Sequence, residues 1–190
     1  MRLGVCVSGE GTNLRTLVER GFDVVAVATN RPSCAAVAFA RERGIPVAEL
    51  SQKAFDSAEH RDIAMRDFFF ERTVELVVDA GYDRIHTQPF LDAFEDRILN
   101  VHPSLLPEYA GGLDAIEQAL AGGAKRTGAT VHLVTAELDA GPILLQEAVP
   151  ILDDDTVETL RQRVHEAEYR ILPQGIRLME ARLAGSSSIR

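Results

Sequence analysis

The sequence contains no block of lysine and arginine, no apolar run of membrane-spanning length and only two cysteines. Each absence removes a class of function. With a net charge of −9 and no basic cluster, a nucleic-acid surface is not expected. An anionic ligand would have to be held by local donors against that global field. The apolar stretches stop short of the roughly 20 residues that span a bilayer, so no membrane partner is expected. Cys6 and Cys34 fall in an apolar strand and at a helix start, and read as reduced packing residues of a cytosolic protein. They do not form a disulfide or metal framework by spacing. Met1-Arg2 leads straight into a strand pattern, so a cytoplasmic chain without a signal peptide is expected. There is no internal repeat, low-complexity block or linker between domains.

What is present is an ordinary folded composition, 46% hydrophobic and 26% charged over 190 residues, enough for one sizeable core. Short apolar runs at Leu3–Val7, Val24–Ala28, Ile45–Val47, Leu76–Val78 and Arg97–Val101 predict buried strands. Helical patterns at Asn13–Arg20, Cys34–Arg43 and Ser57–Arg72 lie between them. Strands apolar on both faces, alternating with helices, predict a doubly wound, mostly parallel α/β sheet in a single domain. The second half changes character. A helix at Ala115–Ala121 is followed by strands at Thr130–Val134 and Ile143–Val149, which a compact loop joins into an antiparallel edge. Asp155-Thr156-Val157-Glu158 predicts a cap with Glu at the third helical position, opening a long amphipathic helix to Ala184 that bends at Pro173. The domain is thus expected at 1–184, with 185–190 as a flexible tail.

Two local patterns carry chemistry. Ser8-Gly9-Glu10-Gly11-Thr12-Asn13 joins the first strand to the first helix, where open parallel sheets bind phosphates on free N–H groups. Leu14 stands where a third dinucleotide-motif glycine belongs, and the second strand ends in Thr29-Asn30-Arg31, without a ribose-binding acid. The Walker lysine is absent too, so a small phosphomonoester fits better than a dinucleotide or a nucleoside triphosphate.

The other pattern is Asn100-Val101-His102-Pro103-Ser104-Leu105-Leu106-Pro107. If Leu99 to Val101 end a strand, Asn100 and His102 share one face. An amide donor beside an imidazole suits a reaction in which a carbonyl oxygen becomes an anion. Alone, the pair reads more readily as a hydrogen-bonded strand end with a core histidine. Downstream, Glu137-Leu138-Asp139-Ala140-Gly141-Pro142 places a carboxylate in the loop between two strands. Asp139 alone would be a turn former, but near His102 it would favour the imidazolium. Asn100, His102 and Asp139 together make a set for acyl transfer.

These motifs, in this order and spacing, closely resemble the glycinamide ribonucleotide formyltransferases, a branch of the folate-dependent formyltransferase family. The resemblance runs from Leu3 to about Leu183 and implies a Rossmann-like formyltransferase fold. It also implies transfer of a formyl group from 10-formyltetrahydrofolate, as co-substrate, to the amine of glycinamide ribonucleotide in purine biosynthesis. By the same resemblance, Gly11, Thr12 and Asn13 would hold the substrate phosphate. Glu168 would contact the ribose, although its neighbours also suit a solvated helix face. Asn100 and protonated His102 would stabilise the oxyanion, while Asp139 would hold His102 charged and organise a proton-carrying water. Asn100 with the segment Asp83, Arg84, Ile85 and His86 would meet the folate. Small-molecule partners, a monomer or homodimer, and no metal are expected.

The chain departs from the family in the folate segment. Family members usually read Leu-Ala-Gly-Phe-Met-Arg-Ile-Leu where this one reads Asp79-Ala80-Gly81-Tyr82-Asp83-Arg84-Ile85-His86. A buried Asp79 needs a partner, and Arg84 is the nearest in sequence; Asp79 and Asp83 are also placed to form a polar pocket. An arginine that contacts folate in some relatives falls at Ala58 here, with His60 or Arg61 as nearby substitutes. Three readings follow: a working formyltransferase with a variant pterin pocket; a formyltransferase on another amine, or a 10-formyltetrahydrofolate hydrolase; or a non-catalytic paralogue.

Overall fold

Five successive covered residues, Leu3 to Val7, make β1 (Arg2–Val7) a strand buried on both faces. That burial is what parallel neighbours covered by helices produce. β1 pairs in parallel with β2 (Asp23–Thr29) and with β4 (Leu76–Asp79), and β3 (Val47–Glu49) pairs with β2. Parallel neighbours need long crossovers; α1 (Thr12–Glu19), α2 (Ala35–Glu42) and α3 (Ala58–Glu71) supply them, with a 3-10 turn at Gln52–Ala54. The computed structural model describes residues 1–187, and its backbone contacts group into two compact units, Met1–Ile98 and Leu99–Arg190.

In the first unit the strand order is β3-β2-β1-β4. The chain steps outward from β1, then returns to place β4 on its other side. That reversal is the switch point where open α/β sheets form their ligand crevice, at the carboxyl ends of the strands. Beneath it, Phe69, Phe90 and Phe94 pack with ring centroids 5.1–6.2 Å apart. Of the Phe68-Phe69-Phe70 run only Phe69 is fully covered; Phe68 carries the Arg72 guanidinium 3.7 Å above its ring, and Phe70 is half-exposed. Phe90 arrives on α4 (Gln88–Ala93), a helix the sequence pattern does not announce. Six residues are too few to show a helical period, and only the proline at its start marks it.

The second unit holds most of β5 (Ile98–His102), then α5 (Ala115–Ala121), β6 (Arg126–Leu133), β7 (Ile143–Pro150) and α6 (Val157–Ser187). β6 runs antiparallel to β5 and to β7, which is the expected antiparallel edge. β6 begins at Arg126, earlier than the expected Thr130, because its first residues pair with the end of β7. At the start of α6 the cap is Thr156, not Asp155: the Thr159 N–H donates to Thr156 Oγ1, and Thr159 Oγ1 accepts from the Thr156 N–H. Asp155, outside the helix, instead accepts from the Leu152 N–H, the Thr159 hydroxyl and Arg163. α6 continues through Pro173 as far as Ser187, so Gly185 to Ser187 are helical and not part of the expected tail. The remainder of that tail, 188–190, lies outside the described residues. Among the described residues no helix is long and apolar enough to cross a membrane.

Candidate active site

In the first unit, Gly11 ends the turn after β1 and caps α1 with φ at 72°. A Cβ there would stand 2.6 Å from the Ala36 Cβ, so both backbone shape and the approach of α2 require glycine. No side chain caps α1 and its first turn carries no acid, so the positive end of the helix dipole suits an anion there. Asn13 itself is buried.

The segment after β4 is tied down at both ends. Asp83 accepts from Asn30 Nδ2 at 2.7 Å and forms an ion pair with Arg31, while its own N–H donates to Ser8 Oγ at 3.0 Å. Asp79 is paired, but with His86 and not with Arg84: His86 Nε2 lies 2.9 and 3.0 Å from the two Asp79 oxygens. Arg84 keeps half its side chain in solvent and stands 3.6 Å from Asp83, and Ile85 is 65% exposed. Arg61 is buried and donates to Asp62, Gln52 and the Ile85 carbonyl, and Asp62 accepts the Thr87 N–H at 2.6 Å. Arg61 therefore braces the loop backbone from inside.

In the second unit, antiparallel register places Asn100 opposite His132 and His102 opposite Thr130. The intervening residues Leu99, Val101, Val131 and Leu133 form the buried apolar face, so the polar side chains share the other one. The loop after His102 is clamped: Thr130 Oγ1 donates to the Ser104 carbonyl at 2.6 Å and accepts the Leu106 N–H, and Gln146 Nε2 donates to the Leu106 carbonyl. Asp139 is held in left-handed conformation at φ 53° on the β6–β7 loop. That loop closes where Gly141 meets β6; a Cβ there would fall 1.9 Å from the Leu133 carbonyl oxygen.

Asp139 Oδ2 accepts the Gly111 N–H at 2.8 Å and stands 3.6 Å from His102 Nδ1, while Oδ1 stands 3.7 Å from His132 Nε2. The carboxylate thus sits between two imidazoles, all three side chains nearly covered. His102 Nε2–H donates to the Tyr109 carbonyl at 3.1 Å. Both nitrogens of His102 thus face oxygen acceptors. His132 Nδ1–H donates to the Leu133 carbonyl at 3.0 Å, so in the neutral ring Nε2 accepts from Asn100 Nδ2 at 3.1 Å. Asn100 keeps its second amide hydrogen for another acceptor.

Asn100, His102 and Asp139 therefore converge, and His132 completes the set. Sequence reasoning missed His132 because only the β5–β6 register puts it across from Asn100; its sole signal was a histidine at an alternate position in an apolar strand. Glu168 is buried on α6, which removes the solvated-face alternative.

Residues 1–176 match the formyl transferase family. A phosphoribosylglycinamide formyltransferase of Mycobacterium tuberculosis is 42% identical over 90% of this chain and 81% of its own length. A trifunctional purine biosynthetic protein of Gallus gallus is 40% identical over 94% of this chain, which spans only 18% of that relative's length. Among solved structures, glycinamide ribonucleotide transformylase 1 of Symbiobacterium toebii superposes with a TM-score of 0.90 at 43% identity, covering 94% of this chain and 87% of that one.

Proposed function

Because this chain belongs to the formyl transferase family, we propose that it transfers the formyl group of 10-formyltetrahydrofolate to the amine of glycinamide ribonucleotide, a step of purine biosynthesis. The observation that carries this reading is the Asn100–His102–Asp139 cluster with His132 beside it. Its residues match the chemistry of formyl transfer one by one.

The substrate amine attacks the formyl carbon, forming a new C–N bond and a tetrahedral oxyanion. Asn100 offers its spare amide hydrogen to that oxygen. His102 offers Nε2–H, exchanging the Tyr109 carbonyl it now holds for the developing anion. The swap is favourable because a charged acceptor binds a donor more strongly than a neutral carbonyl does. Asp139 compensates the charge on His102 and orients a water that takes the proton from the attacking nitrogen. When the oxyanion collapses, the bond to the folate nitrogen breaks and that nitrogen receives the proton, so atoms and charge balance. No lysine, serine or thiol in the cluster is placed to form a covalent intermediate, and the sequence of steps needs none.

We assign the substrate phosphate to the N–H groups at Gly11, Thr12 and Asn13, where the uncapped first turn of α1 supplies donors and dipole. Glu168 is assigned to the ribose hydroxyls. Exposed Arg84 and Ile85, with the backbone at Asp83 and His86, are assigned to the pterin end of the folate, and Asn100 meets the co-substrate at its formyl group. A compartment without membrane or nucleic-acid partners suits these small soluble substrates.

A product assay with both substrates tests the reading. Formylated nucleotide, appearing in step with tetrahydrofolate, is the expected result. Free formate with no formylated nucleotide would make the enzyme a hydrolase, and turnover of neither substrate despite binding would remove the catalytic assignment.

A further inference from the structure

The carboxyl ends of β1 and β4, at the switch point of the first unit, bring together a thiol, a carboxylate and an imidazole that the formyl-transfer chemistry does not use. Cys6 and Asp79 are register partners on adjacent parallel strands, so their side chains stand side by side on one face. His86 returns from the following loop, its Nε2 2.9 Å from Asp79 Oδ2. One ligating atom from each of the three residues lies within 4.8 Å of the others, and all three residues are buried. A fourth soft donor is adjacent: Met65 Sδ is 3.7 Å from Cys6 Sγ.

We propose that Cys6, Asp79 and His86 form a structural binding site for a divalent, borderline-soft metal ion of the zinc type, with Met65 or a water as fourth ligand. Three observations favour this over a simple hydrogen-bonded core triad. The donor set of one sulfur, one nitrogen and one oxygen is that of zinc, not of calcium or magnesium. Charge balances as well: thiolate and carboxylate together neutralise a divalent cation while the imidazole stays neutral, so no net charge is buried. Two buried polar atoms around the cluster, Tyr82 Oη and His86 Nδ1, lack a hydrogen-bond partner. An ion-bound water would give Tyr82 Oη a partner, whereas His86 Nδ1, on the other edge of the ring, would carry the ring proton once Nε2 binds the ion.

The geometry needs little adjustment. A tetrahedral site with arms of about 2.0–2.3 Å has edges of roughly 3.3–3.8 Å, between the 2.9 Å of the His86–Asp79 contact and the 4.8 Å within which the three ligand atoms lie. The imidazole is already oriented, stacked between Tyr82 at 5.3 Å and Phe90 at 4.5 Å with interplanar angles of 19° and 16°. On binding, metal–sulfur, metal–nitrogen and metal–oxygen bonds form. Cys6 releases its thiol proton, and His86 releases the Nε2 proton if it carries one, in exchange for the ion. The ion would pin β1, β4 and the 80–87 loop together. Because the ligands are buried, its role is to hold that loop and not to meet substrate.

The test uses tag-free full-length protein, stripped with chelator and reloaded with Zn²⁺ or Co²⁺. The expected result is about one ion per chain by elemental analysis, a Co²⁺ spectrum with a thiolate charge-transfer band and tetrahedral d–d bands, and a Tm raised by Zn²⁺. Cys6→Ala, which suits an apolar strand, should lose the thiolate band and at least about tenfold in metal affinity, since one of three protein ligands is gone. Cys6→Val provides a second variant should the alanine prove unstable. Wild type that takes up no Zn²⁺ or Co²⁺ after stripping would overturn the proposal. So would equal uptake by wild type and folded Cys6 variants, or a Co²⁺ spectrum without sulfur ligation.

Discussion

Asp139→Asn isolates the charge between the two imidazoles with little change of shape. Asparagine tolerates the left-handed backbone that Asp139 adopts at φ 53°, and its amide oxygen can still accept the Gly111 N–H. What disappears is a negative charge 3.6 Å from His102 and 3.7 Å from His132. At an effective dielectric near 20, a unit charge pair at 3.6 Å is worth about 4–5 kcal/mol. The side chains of Asp139 and His102 are 7% and 6% exposed, so little of this is lost to solvent. If half of it is expressed only as the oxyanion forms, the barrier rises by about 2.3 kcal/mol and kcat falls about 50-fold. KM for either substrate should change little, because the lost term belongs to the transition state. Steady-state kinetics of formylated product, beside circular dichroism and thermal melting to show an intact fold, makes the measurement. A variant with wild-type folding and kcat within about threefold of the parent would refute the electrostatic role assigned to Asp139.

Asn100→Ala removes an oxyanion donor and should lower kcat by about 10²–10³ with KM nearly constant, measured in the same assay. Gly11→Ala forces a side chain into a left-handed position against Ala36; it should cost at least about 1–2 kcal/mol of stability by denaturant melts and raise KM for the nucleotide more than it lowers kcat. Asp62→Ala leaves Arg61 buried without its carboxylate and should destabilise the fold by about 3–5 kcal/mol, with Tm as the readout. The Arg163 guanidinium, and after it the Leu152 N–H, hold the Asp155 carboxyl well below the usual carboxylate range. Its folded value being depressed, the stability it contributes is complete above the unfolded value near 4 and is lost as pH falls through the folded one. The Tm difference between wild type and Asp155→Asn should therefore be largest at neutral pH and shrink below about pH 4; a difference that widens on acidification would contradict this.

Local pattern carried much of the fold because the signals involved are short-range. The strands of the first unit are apolar on both faces, and buried parallel strands need no other mark. The turn after β1 needs Gly11, and the run from Asn100 to Pro107 places two polar side chains on one face of a strand by alternation alone. Element edges were less legible. α4 is too short to show a period, and the cap of α6 moved from Asp155 to Thr156 because two threonines answer each other across its first turn.

Partnerships between distant residues belong to another level. Asp79 was legible as a carboxylate in need of a partner, but that the partner is His86, with Cys6 beside both, follows only from the pairing of β1 with β4 and the path of the loop after it. Likewise His132 joins Asn100, His102 and Asp139 only through the antiparallel register that sets it against Asn100. The order of residues determines which way a side chain faces along its own strand, since alternation is a property of the local backbone. Which side chains meet depends on register and topology, which the whole fold must settle through burial and hydrogen bonding before any two of these groups are neighbours.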